Sequence, residues 1–398
     1  LQLSYLSCQN NNLKHLDVSN NTQLVSLYCY NNDISSLEVQ NAADLEVLYC
    51  GNALIDSLFL GNNPKLRNLQ CDNNFIRNLD LSTCPLLENL TCNSNLLDTL
   101  LLHNNTALKI LACHNNPLDT LALSNNILLE RLTCNNNNLD TLAVSMLPQL
   151  EYLACNDNNI DSIDLSQNLI LDYLSCKHNA MKKLDLTHNI NLESLYCNHN
   201  LLTNLDLNNN TNLKELYCHY NRFAIFDASS LTSLEEFDCK LNNIVYLNLK
   251  NGNNNNISYF NCTSNFPSMI ICVDDSSYAS SASNWAKESS ATFSDSCGCA
   301  NSNSTYFESG ASCYNYTFNN VTYDSSGTYT QIMSNSVGCD SILSLFLTIH
   351  GDANETIYEV GCDSFSYNNQ TFYNSGVYTL QAMSFRGCDS IITLNLTM

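Results

Sequence analysis

The sequence is dominated by a 21-residue repeat in which a cysteine returns at one position of every unit. Twelve cysteines keep this interval without a gap: Cys8, Cys29, Cys50, Cys71, Cys92, Cys113, Cys134, Cys155, Cys176, Cys197, Cys218 and Cys239. A thirteenth, Cys262, follows a two-residue insertion in the run Gly252–Asn256. A fixed period of about 20 residues indicates a solenoid, in which each repeat forms one coil and neighbouring coils stack.

Each unit begins with the pattern L-x-x-L-x-C-x-x-N-x-L. Leu3, Leu6 and Cys8 should point inward from a short strand, because strand side chains alternate between the two faces. One coil cannot bury this apolar edge alone, so the coils must cover one another. An asparagine column accompanies the cysteines, with Ala53 as its only exception: Asn11, Asn32, Asn74, Asn95, Asn116, Asn137, Asn158, Asn179, Asn200, Asn221, Asn242 and Asn265. A carboxamide both donates and accepts, so we expect this column to satisfy the backbone of the turns and assign it no binding role.

Three roles are open to the repeated cysteines. Metal binding requires a tetrahedral group of ligands, which a straight column does not supply. Disulfides require a dihedral angle that parallel, in-register side chains rarely reach. Free cysteine is among the most buried residue types, so we favour reduced thiols that fill the core. Cys84, which stands where other repeats have Asn63, Asn105 or Asn126, is expected to behave in the same way.

The second half of each unit copies the first, as Ile55-x-x-Leu58-x-Leu60-x-x-Asn63 shows. Neither arm is long enough for a two-turn helix and its connections, so we expect a strand on the cysteine side and an extended or strand-like arm opposite. The full pattern resembles that of leucine-rich repeat proteins. The expected fold class is therefore mainly β: a leucine-rich repeat solenoid of parallel β coils over residues 1–265, followed by small disulfide-stapled β domains.

Residues 266–300 are expected to close the solenoid. Met269–Val273 reads as one more apolar strand, and Ser276–Lys287, which contains Trp285, as a short helix over the last coil. This segment resembles the C-terminal cap of leucine-rich proteins secreted by Bacteroidota. The resemblance implies a disulfide between Cys272 and either Cys297 or Cys299.

A different repeat, with a period of 49 residues, divides the remaining chain into small β units at 301–350 and 351–398. Units of this size need a staple. We therefore predict the disulfides Cys313–Cys339 and Cys362–Cys388, and with them an oxidising compartment. The Gly-Cys-Asp-Ser-Ile segments resemble repeats of large Bacteroidota surface proteins exported by the type IX system. Because the chain starts inside one repeat and stops after a strand, a longer parent protein is expected.

Composition and motifs argue against several classes of function. With 38 acidic and 15 basic residues, the net charge is −23. This charge disfavours nucleic acid and anionic membranes as partners. We find no apolar run long enough for a membrane span and no common catalytic or nucleotide-binding motif. His199 and His219 occupy adjacent coils, but a solvated polar edge suits them better than a metal site, because no third ligand is evident.

Tyrosines gather at two places on the outward positions of the cysteine-side strand. The candidate ligand-binding residues are Tyr28, Tyr49, Tyr196, Tyr217, His219 and Tyr220, with Tyr152 and Tyr173 nearby. Stacked tyrosines provide a rigid, amphipathic surface suited to a glycan or a protein. The alternative, that tyrosine merely suits a strand surface, stays open.

The opposite arm carries a recurrent triplet of Asp, Ser or Thr, and Leu or Ile. It resembles the O-glycosylation acceptor of exported Bacteroidota proteins, which implies sugar attachment at Ser57, Thr99, Thr120, Thr141, Ser162, Ser341 and Ser390. An exposed edge decorated with Asp and Thr explains the same pattern. A neighbouring row could bridge Ca²⁺, although a plain acidic surface is the simpler interpretation: Asp17, Glu38, Asp80, Asp164, Asp185, Asp206 and Asp227.

Together these features predict a non-enzymatic, secreted or cell-surface bacterial protein without a cofactor. Its solenoid would bind a glycan or protein partner, with a larger outer-membrane complex as one setting, and its tail repeats would form a stalk. One alternative is a passive spacer in a surface assembly. A second is an enzyme whose catalytic domain lies outside this chain.

Overall fold

The computed structural model describes residues 3–295, 305–318, 321–334, 340–349, 353–367, 370–383 and 389–398. The chain divides into two compact units, Leu1–Asp295 and Ser296–Met398. Each unit is described by itself.

The first unit is a parallel β-solenoid built on one long sheet on the cysteine side. Each strand pairs in register with the strand one coil further on, so that Leu27 lies beside Leu48 and Leu48 beside Leu69. The fourteen strands, in sheet order, are Tyr5–Ser7, Ser26–Tyr28, Val47–Tyr49, Asn68–Gln70, Asn89–Thr91, Ile110–Ala112, Arg131–Thr133, Tyr152–Ala154, Tyr173–Ser175, Ser194–Tyr196, Glu215–Tyr217, Glu236–Asp238, Tyr259–Asn261 and Trp285–Ala286. The predicted fold class, a mainly β solenoid of stacked parallel coils, is confirmed.

The opposite arm forms strands near the two ends of the solenoid and extended segments between them. The strands are His15–Asp17, Ser36–Glu38, Ile225–Asp227, Tyr246–Asn248, Ile270–Cys272 and Thr292–Ser294. A single bridge joins Glu38 to Phe59 beyond the first pair. A 3₁₀ turn at Asn254–Asn256 takes up the two inserted residues, and the strand order of the long sheet continues past it.

The cysteine column lies in the core as free thiols. All of its members from Cys29 to Cys262 are buried, Cys8 in the first coil is partly exposed, and Cys84 is buried and free as well. Burial raises the pKa of these thiols, to about 12 for Cys113, so they stay protonated and apolar. The prediction of reduced core fillers is confirmed.

The asparagine column joins each turn to the coil before it. Asn116 is typical: its Nδ2 donates to the carbonyl oxygens of Cys92 and Cys113 at 3.1 and 3.0 Å. Its Oδ1 accepts from the backbone nitrogen of Leu97 at 3.0 Å. Equivalent bonds recur from Asn32 to Asn265, which confirms the structural role predicted for this column.

The last coils close over a cluster of aromatic side chains. Trp285 is buried against Phe260 and Tyr278, and its Nε1 donates to the carbonyl of Ile257 at 3.3 Å. The helix of this segment runs only over Ser276–Ser281. It is shorter than predicted, because Trp285 is drawn into the long sheet beside Phe260.

Cys272 is disulfide-bonded. Its two expected partners, Cys297 and Cys299, lie outside the described residues.

The second unit contains two sheets of the same design, which explains the 49-residue period. Each has a central strand flanked by one parallel and one antiparallel neighbour, and a separate two-stranded hairpin. The first set is Thr305–Ser312, Tyr316–Phe318, Val321–Tyr323, Gly327–Ser334 and Asp340–Ile349; the second is Ala353–Val360, Phe365–Tyr367, Gln370–Phe372, Gly376–Met383 and Asp389–Thr397. A helix with the length and hydrophobicity of a membrane span is not found in the described ranges.

The two disulfides predicted for these sheets are tested to different extents by the structure. Cys313 is disulfide-bonded, and its expected partner Cys339 lies outside the described residues. Cys362 is a free, exposed thiol, so the predicted Cys362–Cys388 disulfide is wrong. Cys362 stands in the open turn after Ala353–Val360, and this sheet instead buries a small apolar cluster around Leu394 and Leu396.

The burial of the cysteine column leads to a labelling prediction. Under native conditions iodoacetamide should modify Cys362 and leave Cys113, Cys134 and Cys155 untouched, because the thiolate is the nucleophile and these thiols are buried and protonated. Peptide mapping before and after denaturation measures this. Native labelling of Cys134 at the rate of Cys362 would contradict a sealed core.

The asparagine column leads to a stability prediction. Asn116→Ala removes four hydrogen bonds and leaves buried backbone groups unpaired, so the free energy of unfolding should fall by about 3 kcal/mol. Asn138→Ala, at an exposed position of the next coil, is the matched control and should change it by less than about 0.5 kcal/mol. Guanidinium denaturation followed by circular dichroism provides the measurement, and equal midpoints for both variants would refute the assigned role.

Candidate binding face

Five tyrosines form a continuous strip on the outward face of the long sheet. This tyrosine strip consists of Tyr152, Tyr173, Tyr196, Tyr217 and Tyr259. Its consecutive ring centroids lie 4.2, 5.6, 5.1 and 6.3 Å apart. Tyr152 and Tyr173 are stacked at an interplanar angle of 6°, and Tyr196 and Tyr217 at 14°. In-register strands about 4.8 Å apart produce such stacks whenever neighbouring coils carry an aromatic residue at the same position.

Carboxylates hold the hydroxyl groups of the strip. Tyr196 donates to Glu215, Tyr217 donates to Glu236, and Tyr259 donates to Asp238 at 3.2 Å. Burial, and then the neighbouring carboxylate, raises the pKa of Tyr196 and of Tyr217. The phenols therefore stay protonated, and the rings are held in one orientation before any partner arrives.

A second aromatic row lies at the turn after the same strands. The residue two positions after each cysteine of the column has a positive φ, a conformation that asparagine tolerates better than most residues. Asparagine occupies it in most N-terminal coils, but His178, His199 and Tyr220 replace it with φ of 54°, 56° and 53°. Their rings stack at 4.0 and 4.2 Å, and we call these three residues the histidine stack.

His219 connects the two rows. Its ring lies 5.3 Å from His199 and 6.5 Å from Tyr217. Beneath it Asp238 is only 2% exposed and accepts from Lys240 Nζ at 3.0 Å, while His219 Nδ1 lies 3.7 Å away. Burial lowers the pKa of both His199 and His219, so these imidazoles are neutral at neutral pH.

The structure brings together four of the six predicted binding residues and separates the other two. Tyr196, Tyr217, His219 and Tyr220 form one surface. Tyr28 and Tyr49 belong to a separate group with Tyr5, in which neighbouring rings lie 5.5 and 5.1 Å apart. Gln70, Thr91, Ala112 and Thr133 occupy the equivalent positions between the two groups.

Two members of the larger surface escaped the sequence analysis. His178 stands one coil before His199, and Tyr259 stands three residues before Cys262, at the position equivalent to Tyr152. Comparing equivalent positions across the insertion would have found Tyr259. His178 could have been found from its place in the same column as His199.

The metal sites considered as the less favoured interpretation of the acidic row and of the His199 and His219 pair gain no support from the geometry. Over the described ranges, no group of three or more His, Cys, Asp or Glu side chains could hold a metal ion. Most of the acidic row on the opposite arm instead accepts from the backbone nitrogen two residues further on. For example, Asp80 accepts from Ser82 at 2.9 Å and Asp164 from Ser166 at 3.0 Å. Hydrogen bonds from the side chain and then the backbone of Ser82 lower the pKa of Asp80, and those from the backbone and then the side chain of Ser166 lower the pKa of Asp164. These contacts assign both carboxyls a role in the turns.

The predicted glycosylation sites on the solenoid are accessible. The hydroxyl-bearing residues Ser57, Thr99, Thr120, Thr141 and Ser162 are all exposed on the opposite arm. Ser341 and Ser390 fall within the strands Asp340–Ile349 and Asp389–Thr397, and their side chains lie outside the described part. Attachment of sugar stays a prediction.

The first unit has the architecture of a leucine-rich repeat solenoid with a column of buried cysteines. No protein-family model matches the chain, and no curated protein matches it in sequence. Solved structures share its fold. The functional domain of InlJ from Listeria monocytogenes, which is described as including a cysteine ladder, is 22% identical with a TM-score of 0.65, over 99% of this chain and 86% of that one.

Two further structures extend this likeness. The internalin inlF of Listeria monocytogenes is 20% identical with a TM-score of 0.59, over 70% of this chain and 85% of its own. A leucine-rich repeat protein of Leptospira interrogans is 23% identical with a TM-score of 0.58, over 62% and 68%. At these identities the likeness establishes the fold alone.

Accessible hydroxyls lead to a mass-spectrometric prediction. Protein isolated from its natural source should be heavier than the bare polypeptide, and Thr120→Val should remove the mass of one glycan. Thr106→Val, at an exposed threonine that lacks the preceding Asp, is the control and should remove none. An intact mass equal to that of the polypeptide would end the glycosylation hypothesis.

Proposed function

We propose that this protein is a non-enzymatic interaction scaffold that binds a protein partner through the tyrosine strip and the histidine stack. The observation that carries the proposal is the unbroken series of ring contacts from Tyr152 to Tyr259, the last of which crosses an intervening coil, with the hydroxyls of Tyr196, Tyr217 and Tyr259 held by carboxylates. Fixed aromatic side chains lose little conformational entropy on binding, and tyrosine is enriched at the energetic centres of interfaces.

The backbone of the histidine stack supports a functional role. An aromatic residue at positive φ costs about 1 kcal/mol, whereas asparagine at the same position is better tolerated. Three such positions in successive coils, at His178, His199 and Tyr220, carry an aromatic ring, whereas the other coils have Asn in most cases and otherwise Ser, Asp or Leu. A binding surface would require these three strained aromatic residues to lie together beside the tyrosine strip. A passive spacer has no need of them.

The setting proposed for this scaffold is the surface of a bacterial cell, with the tail repeats as a stalk. The disulfide-bonded Cys272 and Cys313 favour an oxidising compartment. The fold-level likeness to a Listeria internalin is compatible with this setting. The resemblance of the cap and tail to exported Bacteroidota proteins, and export through the type IX system, remain proposals.

Two other functions remain as alternatives. A passive spacer would need no organised aromatic surface, and its assembly would be insensitive to changes in the strip. An enzyme whose catalytic domain lies outside this chain would use the solenoid to recruit its substrate. The strip favours the binding scaffold over the spacer.

The proposal is tested by truncating the centre of the strip. Tyr196→Ala with Tyr217→Ala should weaken binding of the natural protein partner, identified on an array of surface proteins, by about a hundredfold or more. Thermal unfolding should stay close to that of the unmodified protein, because both side chains lie outside the core.

Phe59→Ala is the matched control, since Phe59 is a 72% exposed aromatic residue on the opposite arm. It should bind the partner normally. Full binding by the double tyrosine variant would refute the proposed face.

A further inference from the structure

We infer that the segment bound along the tyrosine strip is a basic stretch of polypeptide, rich in lysine and arginine. This inference rests on the proposed function and names the chemistry of its partner. It is drawn from three features of the face: covered ring faces, hydrogen-bond acceptors, and a row of unpaired carboxylates.

The ring faces are already occupied. Tyr152 has Tyr173 on one face, and the guanidinium of Arg131 lies over its ring, 4.2 Å from the centroid. Tyr196 and Tyr217 cover each other at 5.1 Å. A sugar packs its C–H groups on an open aromatic face, which this stack does not offer, so the strip presents ring edges and oxygens. Covered faces disfavour a glycan and favour a protein segment.

The polar groups of the strip are acceptors. Glu215 and Glu236 each receive one hydroxyl hydrogen, and a carboxylate retains further acceptor sites after accepting one bond. Because the hydroxyl hydrogens of Tyr196 and Tyr217 are engaged, the partner must bring the donors. Lysine and arginine are the charged side chains that donate several hydrogen bonds without accepting any.

Charge on the face has the sign that this partner needs. We counted charges in the six coils from Cys134 to Cys239, over the segment that begins four residues before each cysteine and ends one residue after it. The eight carboxylates are Glu130, Glu151, Asp172, Glu193, Glu215, Glu235, Glu236 and Asp238. The four basic side chains are Arg131, Lys177, Lys214 and Lys240. All four basic groups are engaged. Arg131 and Lys177 lie over tyrosine rings, Lys214 pairs with Glu193 at 2.7 Å, and Lys240 pairs with Asp238 at 3.0 Å.

Three carboxylates in successive coils are left without a counter-charge. Within the described residues no basic side chain forms an ion pair with Glu130, Glu151 or Asp172, which we call the carboxylate row. Glu151 and Asp172 immediately precede Tyr152 and Tyr173 of the tyrosine strip. Glu130 immediately precedes Arg131, whose guanidinium lies over the Tyr152 ring. Like charges at strand spacing repel one another, so bound lysine or arginine would relieve this repulsion while its neighbours contact the rings.

The dimensions set the size of the segment. The tyrosine strip extends over six consecutive strands of the long sheet, from that of Tyr152 to that of Tyr259. At about 4.8 Å between strands this distance is about 24 Å, which about eight residues of extended chain cover. The partner is therefore a short basic stretch that runs along the solenoid axis.

The experiment uses the whole chain and three fluorescent peptides of about eight residues. One alternates lysine with serine, the second replaces lysine with glutamate, and the third replaces it with glutamine. Fluorescence anisotropy is measured at about 50 mM and about 150 mM salt, because exposed charges are screened more strongly at the higher concentration. We expect the lysine peptide alone to bind, more weakly at higher salt.

Two triple variants separate the face from the net charge of the protein. Glu130→Gln with Glu151→Gln and Asp172→Asn neutralises the carboxylate row and should weaken lysine-peptide binding at least about tenfold. Asp98→Asn with Asp119→Asn and Asp140→Asn removes the same charge from three exposed positions of the opposite arm. This control should bind within about twofold of the unmodified protein.

Several results would overturn the inference. Equal losses in the two triple variants would mean general attraction to an acidic protein, and absence of lysine-peptide binding would exclude a basic partner. In another outcome, no peptide binds, and a glycan binds the unmodified protein but not the variant with Tyr196→Ala and Tyr217→Ala. The proposed binding face would then be supported, and the inference of a basic partner would be refuted. Normal peptide and partner binding by that tyrosine variant would instead remove the proposed function itself.

Discussion

Hydrogen bonding between residues one period apart supports every other feature of the solenoid. The strands pair in register at an offset of 21 residues, and each column asparagine, such as Asn116, joins a turn to the coil before it. The same offset places each buried thiol beside the next, so the core is continuous although no single coil could hide its own apolar edge. The insertion near Asn254–Asn256 is tolerated because a 3₁₀ turn absorbs it outside the sheet.

Because the coils stack in register, a residue type that recurs at one position of the repeat forms a continuous row on the solenoid surface. A tyrosine on a single strand is an ordinary surface residue, whereas tyrosines on successive strands become a strip whose hydroxyls meet carboxylates of the next coil. The same holds at the turn, where His178, His199 and Tyr220 replace asparagine at positive φ. Both rows occur over the same coils, and this coincidence is the basis of the proposed binding face.

The opposite arm follows the same rule with a different result. Asparagines at its inner turn are fully buried and donate to backbone carbonyls of the preceding coil, as Asn126 does to Leu102 and Asn105. Their Oδ1 atoms have no donor among the described residues: Asn63, Asn105, Asn126, Asn168, Asn189 and Asn210. A buried acceptor of this kind is an unfavourable group that ordered water commonly satisfies. The column is therefore structural, and the arm's accessible chemistry is confined to exposed residues such as Thr120.

The sequence by itself determined the period, the parallel coils, the reduced cysteine column and the hydrogen-bonding asparagines, because each depends only on what recurs every 21 residues. It also located Tyr196, Tyr217, His219 and Tyr220. Only the tertiary structure decided that Tyr259 completes the strip across an intervening coil, that Asp238 is buried beneath His219, and that Cys362 is free. These features depend on side-chain directions and on contacts between non-equivalent positions, which a repeat pattern does not encode.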